Sequence, residues 1–421
     1  MFKKLKKVFS RLGPGFITGA SDDDPSGIAT YSQTGAQFGY TQLWTALFSF
    51  PFMTVIQEMC GRIGMVTGKG LSGVIRKHYP KPILYFSVAL LLIANIVNIG
   101  ADLGAMASSG QLLINLPFIL WLLPITALTL SLEVFVSYKV YAKFLKYLTF
   151  SLFAYVITVF VVKQSWTQVL TATIIPNISI TRNYLLNVIA ILGTTISPYL
   201  FFWQTGEEVE EEVEFHKIRA MGKGVPKIRR IDIREMRYDT IIGMFFSNIV
   251  MFFIIATAAS TLGVHGINNI DTASQAAQAL KPIAGNFASL LFAAGILGTG
   301  LLAVPVLAGS ASYAISEAFG FKEGLYRKLK QAHGFYAVIS IATVIGLLVN
   351  FTHIPPFKML YYTAILNGLI APPLMILILM ISSNPDIMGK YTNSKFSNFF
   401  GILITAVMTI ASLALIASFV K

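Results

Sequence analysis

The sequence predicts an all-α integral membrane protein of about 11 transmembrane helices, arranged as a five-plus-five inverted repeat with helices 1 and 6 broken at mid-span. Three observations predict it. Hydrophobic residues make up 55% of the 421 and charged residues only 12%, against about 25% charged in a soluble domain. Apolar runs of the roughly 20 residues that a spanning helix needs recur along the whole chain, and their unbroken length excludes a β-barrel, whose strands alternate and are about 10 residues long. Two of the runs, at corresponding places, are interrupted by proline beside small or acidic residues, a pattern that marks repeats with discontinuous helices.

Spans are expected at residues 14–37, 43–66, 82–108, 116–135, 144–163, 184–206, 239–263, 283–316, 334–350, 355–382 and 397–420. The first follows the basic start MFKKLKKVFSRLGPGF without a small-residue cleavage pattern, so it reads as a retained helix rather than a signal peptide. It breaks at Asp24-Pro25-Ser26-Gly27. Five spans precede the sixth, which breaks at Thr194-Thr195-Ile196-Ser197-Pro198 and begins the second copy. An odd number of spans per copy turns that copy upside down and puts both breaks near one depth. The expected organisation is a single domain over 1–421: a first repeat at 14–163, an external connector at 164–183, a second repeat at 184–382 that includes a cytoplasmic loop at 206–238, and an extra helix at 397–420. The loop sets an acidic run, Glu207 to Glu214, before a basic one, Lys217 to Arg237, as a solvated connector does.

A formal charge of +13 raises the question of nucleic acid, and the placement of the basic residues answers it. They concentrate in alternate loops: Lys3, Lys4, Lys6, Lys7 and Arg11; Lys69, Arg76, Lys77 and Lys81; Lys139, Lys143 and Lys146; eight between Lys217 and Arg237; Lys322, Arg327, Lys328 and Lys330; Lys390 and Lys395. Only Lys163, Arg182, Lys281, Lys358 and Lys421 fall on the other side. This is the positive-inside rule with a cytoplasmic N-terminus and an external C-terminus. The expected partners are the lipid bilayer, with some basic residues touching anionic headgroups, and no nucleic acid. The single cysteine, Cys60, sits in an apolar stretch and excludes both an internal disulfide and a Cys-based metal motif.

A carboxylate at membrane depth costs about 2.5 to 3.5 kcal/mol, so Asp22, Asp23 and Asp24 inside the first span point to a cation. Proline frees backbone carbonyls that hydrocarbon cannot satisfy and an ion can. Hard divalent ions want carboxylates, carbonyls, amides and retained water. Candidate metal-site residues are therefore Asp24 with one neighbour, Asp23; Thr194, Thr195 and Ser197 at the second break; Asn98 and Asp102 on helix 3; and Asn367 on helix 10. Asn95, Asn98 and Asp102 share one stripe at i, i+3 and i+7. Against this stand plainer readings: Asp24 as an N-cap, the Asn pair as interhelical glue, the hydroxyls bonding back to their own helix, and Glu58, Glu133 and Glu317 as structural partners. The five histidines have no metal-binding spacing, and no phosphate loop or nucleophile elbow is present, so no enzyme is expected.

The stretch Gly13-Pro14-Gly15-Phe16, followed by Asp24-Pro25, Ala29-Thr30 and Gly35-Ala36-Gln37-Phe38-Gly39-Tyr40, resembles helix 1 of the Nramp divalent-metal transporters, whose motif there is DPGN. Leu192-Gly193-Thr194-Thr195-Ile196-Ser197-Pro198 is similar to the family's helix 6, usually MPH at its break. The resemblance implies a leucine-transporter-like fold with a metal between helices 1 and 6. It also shows departures: Gly27 replaces the motif asparagine, Ser197 the metal-binding methionine, and Tyr199 the histidine associated with proton movement. Of the family's helix 3 acidic pair only Asp102 is placed. Loss of a soft thioether removes a preference for Mn2+ and Fe2+, and Gly27 would leave room for ion-bound water. The closest pattern is the Nramp-related magnesium branch.

The function expected on this basis is uptake of Mg2+ and Mn2+ across the cell membrane by alternating access, without obligatory proton coupling, by a chain that works as a monomer and holds no cofactor besides its cargo. A proton-coupled Mn2+/Fe2+ symporter using Asp22, Asp23 or Asp102 is one alternative. An amino-acid or organic-cation transporter of the same fold is another, opposed by the three aspartates.

Overall fold

A computed structural model describes residues 13–136, 152–352 and 354–420, and every regular element among them is helical. The helices are α1 (Pro14–Asp22), α2 (Pro25–Phe38), α3 (Trp44–Thr67), α4 (Leu71–His78), α5 (Lys81–Leu113), α6 (Phe118–Phe135), α7 (Phe153–Val161), α8 (Trp166–Ile174), α9 (Arg182–Thr195), α10 (Pro198–Glu214), α11 (Arg230–Thr261), α12 (Ala288–Phe319), α13 (His333–Val349), α14 (Pro356–Ser383) and α15 (Lys395–Val420). One-turn helices lie between α11 and α12 and after α14.

Both expected breaks are present. Proline has no N–H and its ring crowds the carbonyl four residues back, so Pro25 interrupts the run at Ser21 and Pro198 interrupts it at Thr194. Asp24 then caps α2 by accepting the Gly27 amide. Helix α10 starts at Pro198 with no side-chain cap at Ser197.

Among the described residues, seven stretches are long and apolar enough to cross a membrane: Lys81–Leu113, Phe118–Phe135, Arg182–Glu214, Arg230–His265, Ala273–Phe319, Pro356–Ser383 and Lys395–Ser418. The other expected spans have physical reasons for being less apparent. The first is divided at its aspartates, α3 contains Gln57, Glu58 and Arg62, α13 is a 17-residue apolar helix, and the span expected at 144–163 begins outside the described residues. The hydrophilic segment expected as a solvated connector at 206–238 is partly helical, since α10 runs on to Glu214 and α11 begins at Arg230. Its acidic run is not solvated, because Glu207, Glu208, Glu210 and Glu212 are buried where α10 packs on α3 and α12. The N-terminal lysines and Lys139, Lys143 and Lys146 also lie outside the described residues.

The bundle is organised by close backbone crossings. Both α1 and α2 pack on α11, α9 packs on α14, α5 lies between α12 and α14, and α10 rests on α3 and α12. Helix α15 runs along the outside of α14. A Cβ on Gly19 would collide with the Gly243 carbonyl group, and one on Gly193 with the Ala364 carbonyl oxygen and the Gly368 amide. Small residues at such crossings let helices approach where no hydrophobic force drives association. Beyond the breaks, Glu58 receives both Arg62 (3.0 Å) and Arg237 (2.8 Å), and Arg62 also donates to the Tyr391 carbonyl and to Asn393. This buried clamp ties α3 to α11 and to the turn after α14. Glu317 binds the first turn of α4 by accepting the Gly70 and Gly73 amides. Glu133 is different: it accepts only the Thr343 hydroxyl (3.1 Å), and its Oε1 has no partner.

Candidate functional site

The two breaks face each other. Asp24 Oδ1 accepts the Ser26 hydroxyl (2.6 Å) and the Gly27 amide (2.8 Å), and Oδ2 accepts Asn98 Nδ2 from α5 (3.0 Å). The Ser26 hydroxyl lies 3.4 Å from that of Thr194 at the end of α9, which joins the two broken helices directly. Asp24 is 1% exposed and Asn98 and Asp102 are wholly buried.

Each proline leaves a carbonyl to be satisfied, and each finds a different hydroxyl. Pro25 frees the Ser21 carbonyl, which accepts the Tyr199 hydroxyl of α10 (3.0 Å). Pro198 frees the Thr194 carbonyl, which accepts the Ser197 hydroxyl (2.8 Å). Ser197 also donates to the Gly193 carbonyl (2.9 Å), and Thr195 donates to the Ile191 carbonyl (2.9 Å). Both hydroxyls thus bond back to their own helix, while Thr194 alone of the three turns its side chain to the other break.

Gly27 lies where a Cβ would stand 3.3 Å from the Asp22 carbonyl oxygen, from Thr194 Oγ1 and from the Tyr31 ring. The space above it is therefore occupied rather than left open for the ion-bound water expected at Gly27, and glycine is what fits. Asn95 donates to the Leu307 carbonyl and to Ser310 on α12 as interhelical glue, whereas Asn98, one turn on, reaches Asp24. Neither oxygen of Asp102 has a hydrogen-bond partner, nor does Asn98 Oδ1 or Asn367 Nδ2. Asp102 lies within electrostatic range of Asp24. Buried polar atoms without partners are uncommon and need an explanation.

Asp22 and Asp23 turn away from Asp24 to share Ser247 on α11, which donates to Asp22 Oδ2 (2.6 Å) and approaches Asp23 Oδ1 at 3.4 Å. Among the described residues no three His, Cys, Asp or Glu side chains converge on one point. A cation here would be met by fewer than three such side chains, completed by amide, hydroxyl and carbonyl oxygens or by its own water. The residues that sequence reasoning missed are Ser26, Ser247 and the Tyr199–Ser21 bond. Ser247-Asn248 is a polar pair inside an apolar helix, a signal of the kind that singled out Asn95 and Asn98.

Two broken helices facing each other across a buried, oxygen-lined centre define a helical membrane protein of the leucine-transporter fold. Residues 15–418 match the family described as natural resistance-associated macrophage protein-like, Nramp, and the chain belongs to that family. It is 27% identical to the divalent metal cation transporter MntH of Erwinia tasmaniensis, over 96% of this chain and 93% of the relative. With the MntH of Deinococcus radiodurans it shares 24% identity, over 96% and 88%. In fold it is similar to the Eremococcus coleocola manganese transporter, crystallised with an aromatic bis-isothiourea compound, at a TM-score of 0.76 and 17% identity, covering 98% of this chain and 87% of that one. It is also similar to Mhp1, a nucleobase-cation-symport-1 family transporter in a closed conformation, at a TM-score of 0.62 and 14% identity, covering 97% and 90%.

Proposed function

We propose that this protein carries divalent metal cations, Mg2+ and Mn2+, into the cell by alternating access without obligatory proton coupling. Its relatives of similar length are divalent metal transporters, and the observation that supports the reading is the donor set at the facing breaks. Asp24, Asn98 and Thr194 are hard oxygen or amide groups, and at the place where the family's methionine would stand, Ser197 keeps its hydroxyl on its own helix. Such a centre suits an ion that keeps several waters, as Mg2+ does. Tyr199, where the family's histidine would stand, holds a backbone carbonyl and offers no group that titrates near neutral pH.

In this reading the repeats are 14–163 and 184–382, the N-terminus is cytoplasmic, the C-terminus external, and one chain is the working unit. The test is influx of Mg2+ and Mn2+ into proteoliposomes that hold the purified protein, with a metal dye and a pH dye inside. Metal entry without acidification is the expected result. Mn2+ entry with acidification and no Mg2+ entry would place the chain among proton-coupled symporters instead. Asp24→Ala is expected to abolish entry of both ions, and parental Mg2+ uptake by that variant would sink the assignment of the site.

A further inference from the structure

We propose that the turn joining α12 to α13 is a binding site for the phosphate group of an anionic phospholipid. Gly320, in left-handed conformation (φ +77°), stops α12, and the turn to His333 encloses an open concavity of about 630 Å³ walled by Phe321, Lys322, Arg327, Lys330 and His333. That volume is within the range of small-molecule sites.

Two cations of this concavity are unpaired. Lys322 and Lys330 make no ion pair among the described residues. Arg327 is fixed by its Nε hydrogen bond to the Glu323 carbonyl (2.9 Å) and by the Tyr326 ring beneath it at 4.8 Å. Glu323, the acid of the turn, offsets them weakly, because burial, together with the Glu317 and Glu210 carboxylates, raises its carboxyl, and Glu210 is engaged by the Leu325 and Tyr326 amides. At the far wall α13 starts with no side-chain cap, and the free amides of a first helical turn attract anions.

The surroundings favour a lipid over a free phosphate. Tyr85, Phe319 and Phe321 form a stacked series, with ring centroids 6.0 and 6.1 Å apart, and all three are exposed, as aromatic residues are at a membrane interface. From there the outer face of α13 continues as exposed Ile341, Val344, Ile345 and Leu348, an apolar wall for acyl chains. Basic pockets at helix ends on the cytoplasmic side hold anionic headgroups by this combination.

The test is native mass spectrometry of the full-length protein in detergent with added phosphatidylglycerol or phosphatidylcholine. Three proteins are compared: the parent, the double variant Lys322→Gln/Lys330→Gln, and a control, Lys223→Gln/Lys227→Gln, which removes the same charge from another exposed loop. All four side chains are exposed, so the variants keep the fold, which an unchanged melting temperature without lipid verifies. The expected result is several-fold lower phosphatidylglycerol occupancy in the first variant, parental occupancy in the control, and little phosphatidylcholine binding throughout. Parental occupancy in the first variant, or an equal loss in the control, would overturn the site. Displacement of the lipid by excess inorganic phosphate would overturn the lipid as its occupant.

Discussion

Asn98 gives the centre its directionality. Its Nδ2 holds Asp24 in place while its Oδ1 has no partner, so in the proposed function the same side chain that orients the carboxylate presents an acceptor to an arriving ion. Asp102 adds two more oxygens without partners one turn along α5. Tyr199 acts on the backbone instead, because its hydroxyl supplies the Ser21 carbonyl with the donor that Pro25 took away. Leaving a buried acceptor unsatisfied costs about 1 to 3 kcal/mol, so Tyr199→Phe is expected to lower the melting temperature in detergent while still binding metal. An unchanged melting temperature would mean that the Ser21 carbonyl finds another donor. The carboxylate and both prolines were legible in the sequence because each is expensive in hydrocarbon. The partner of each freed carbonyl was not, because Tyr199 and Ser21 are 178 positions apart and only packing brings them together.

Among elements, the half-helices are seated by glycine. Gly193 on α9 meets Gly368 on α14 so closely that a side chain has no room, and overpacking of this kind costs about 1 to 3 kcal/mol or more. Gly193→Val is therefore expected to reduce the yield of monodisperse protein sharply, measured by size-exclusion chromatography, and a parental yield would mean that α9 and α14 can move apart to admit the side chain. The turn after α12 gives a pH effect of definite sign. With its carboxyl raised to about 10, Glu323 keeps a proton in the folded protein that the unfolded chain has released, so stability falls as pH rises between the ordinary carboxylate value and about 10. Glu323→Gln should melt several degrees above the parent at pH 9 and close to it at pH 4; equal shifts at both would refute the buried proton. Helix existence followed from apolar length, but element ends did not. The acidic run from Glu207 looked solvated, yet α10 continues through it and buries Glu207 and Glu210 beside the Tyr313 hydroxyl of a helix about 100 residues away.

For the whole molecule the cargo's charge sets the energetics. Two charges moved through an inside-negative potential of 100 mV gain about 4.6 kcal/mol, enough for modest accumulation without a second ion. On the proposed function, a potassium diffusion potential, inside negative, should therefore speed Mg2+ entry into proteoliposomes, and insensitivity to its sign would mean that a compensating charge moves with the metal. The five-plus-five plan was readable as two interrupted spans at matching places. How distant helices hold together was not, since the Glu58–Arg62 clamp reaches Arg237 and Asn393, so that three separate stretches of chain meet there.

The glycine crossings have a mechanical side. Where α1 lies on α11 at Gly19 and Gly243, and α9 on α14 at Gly193 and Gly368, backbone touches backbone, so these points act as bearings that set how near the helices can come. Position along the α1–α11 bearing is pinned by side chains on either side of it, Asp239 on the Gly13 and Phe16 amides and Ser247 on Asp22. The helix ends beside the central carboxylate are thus mounted on hard stops with latches rather than on a soft cushion of side chains.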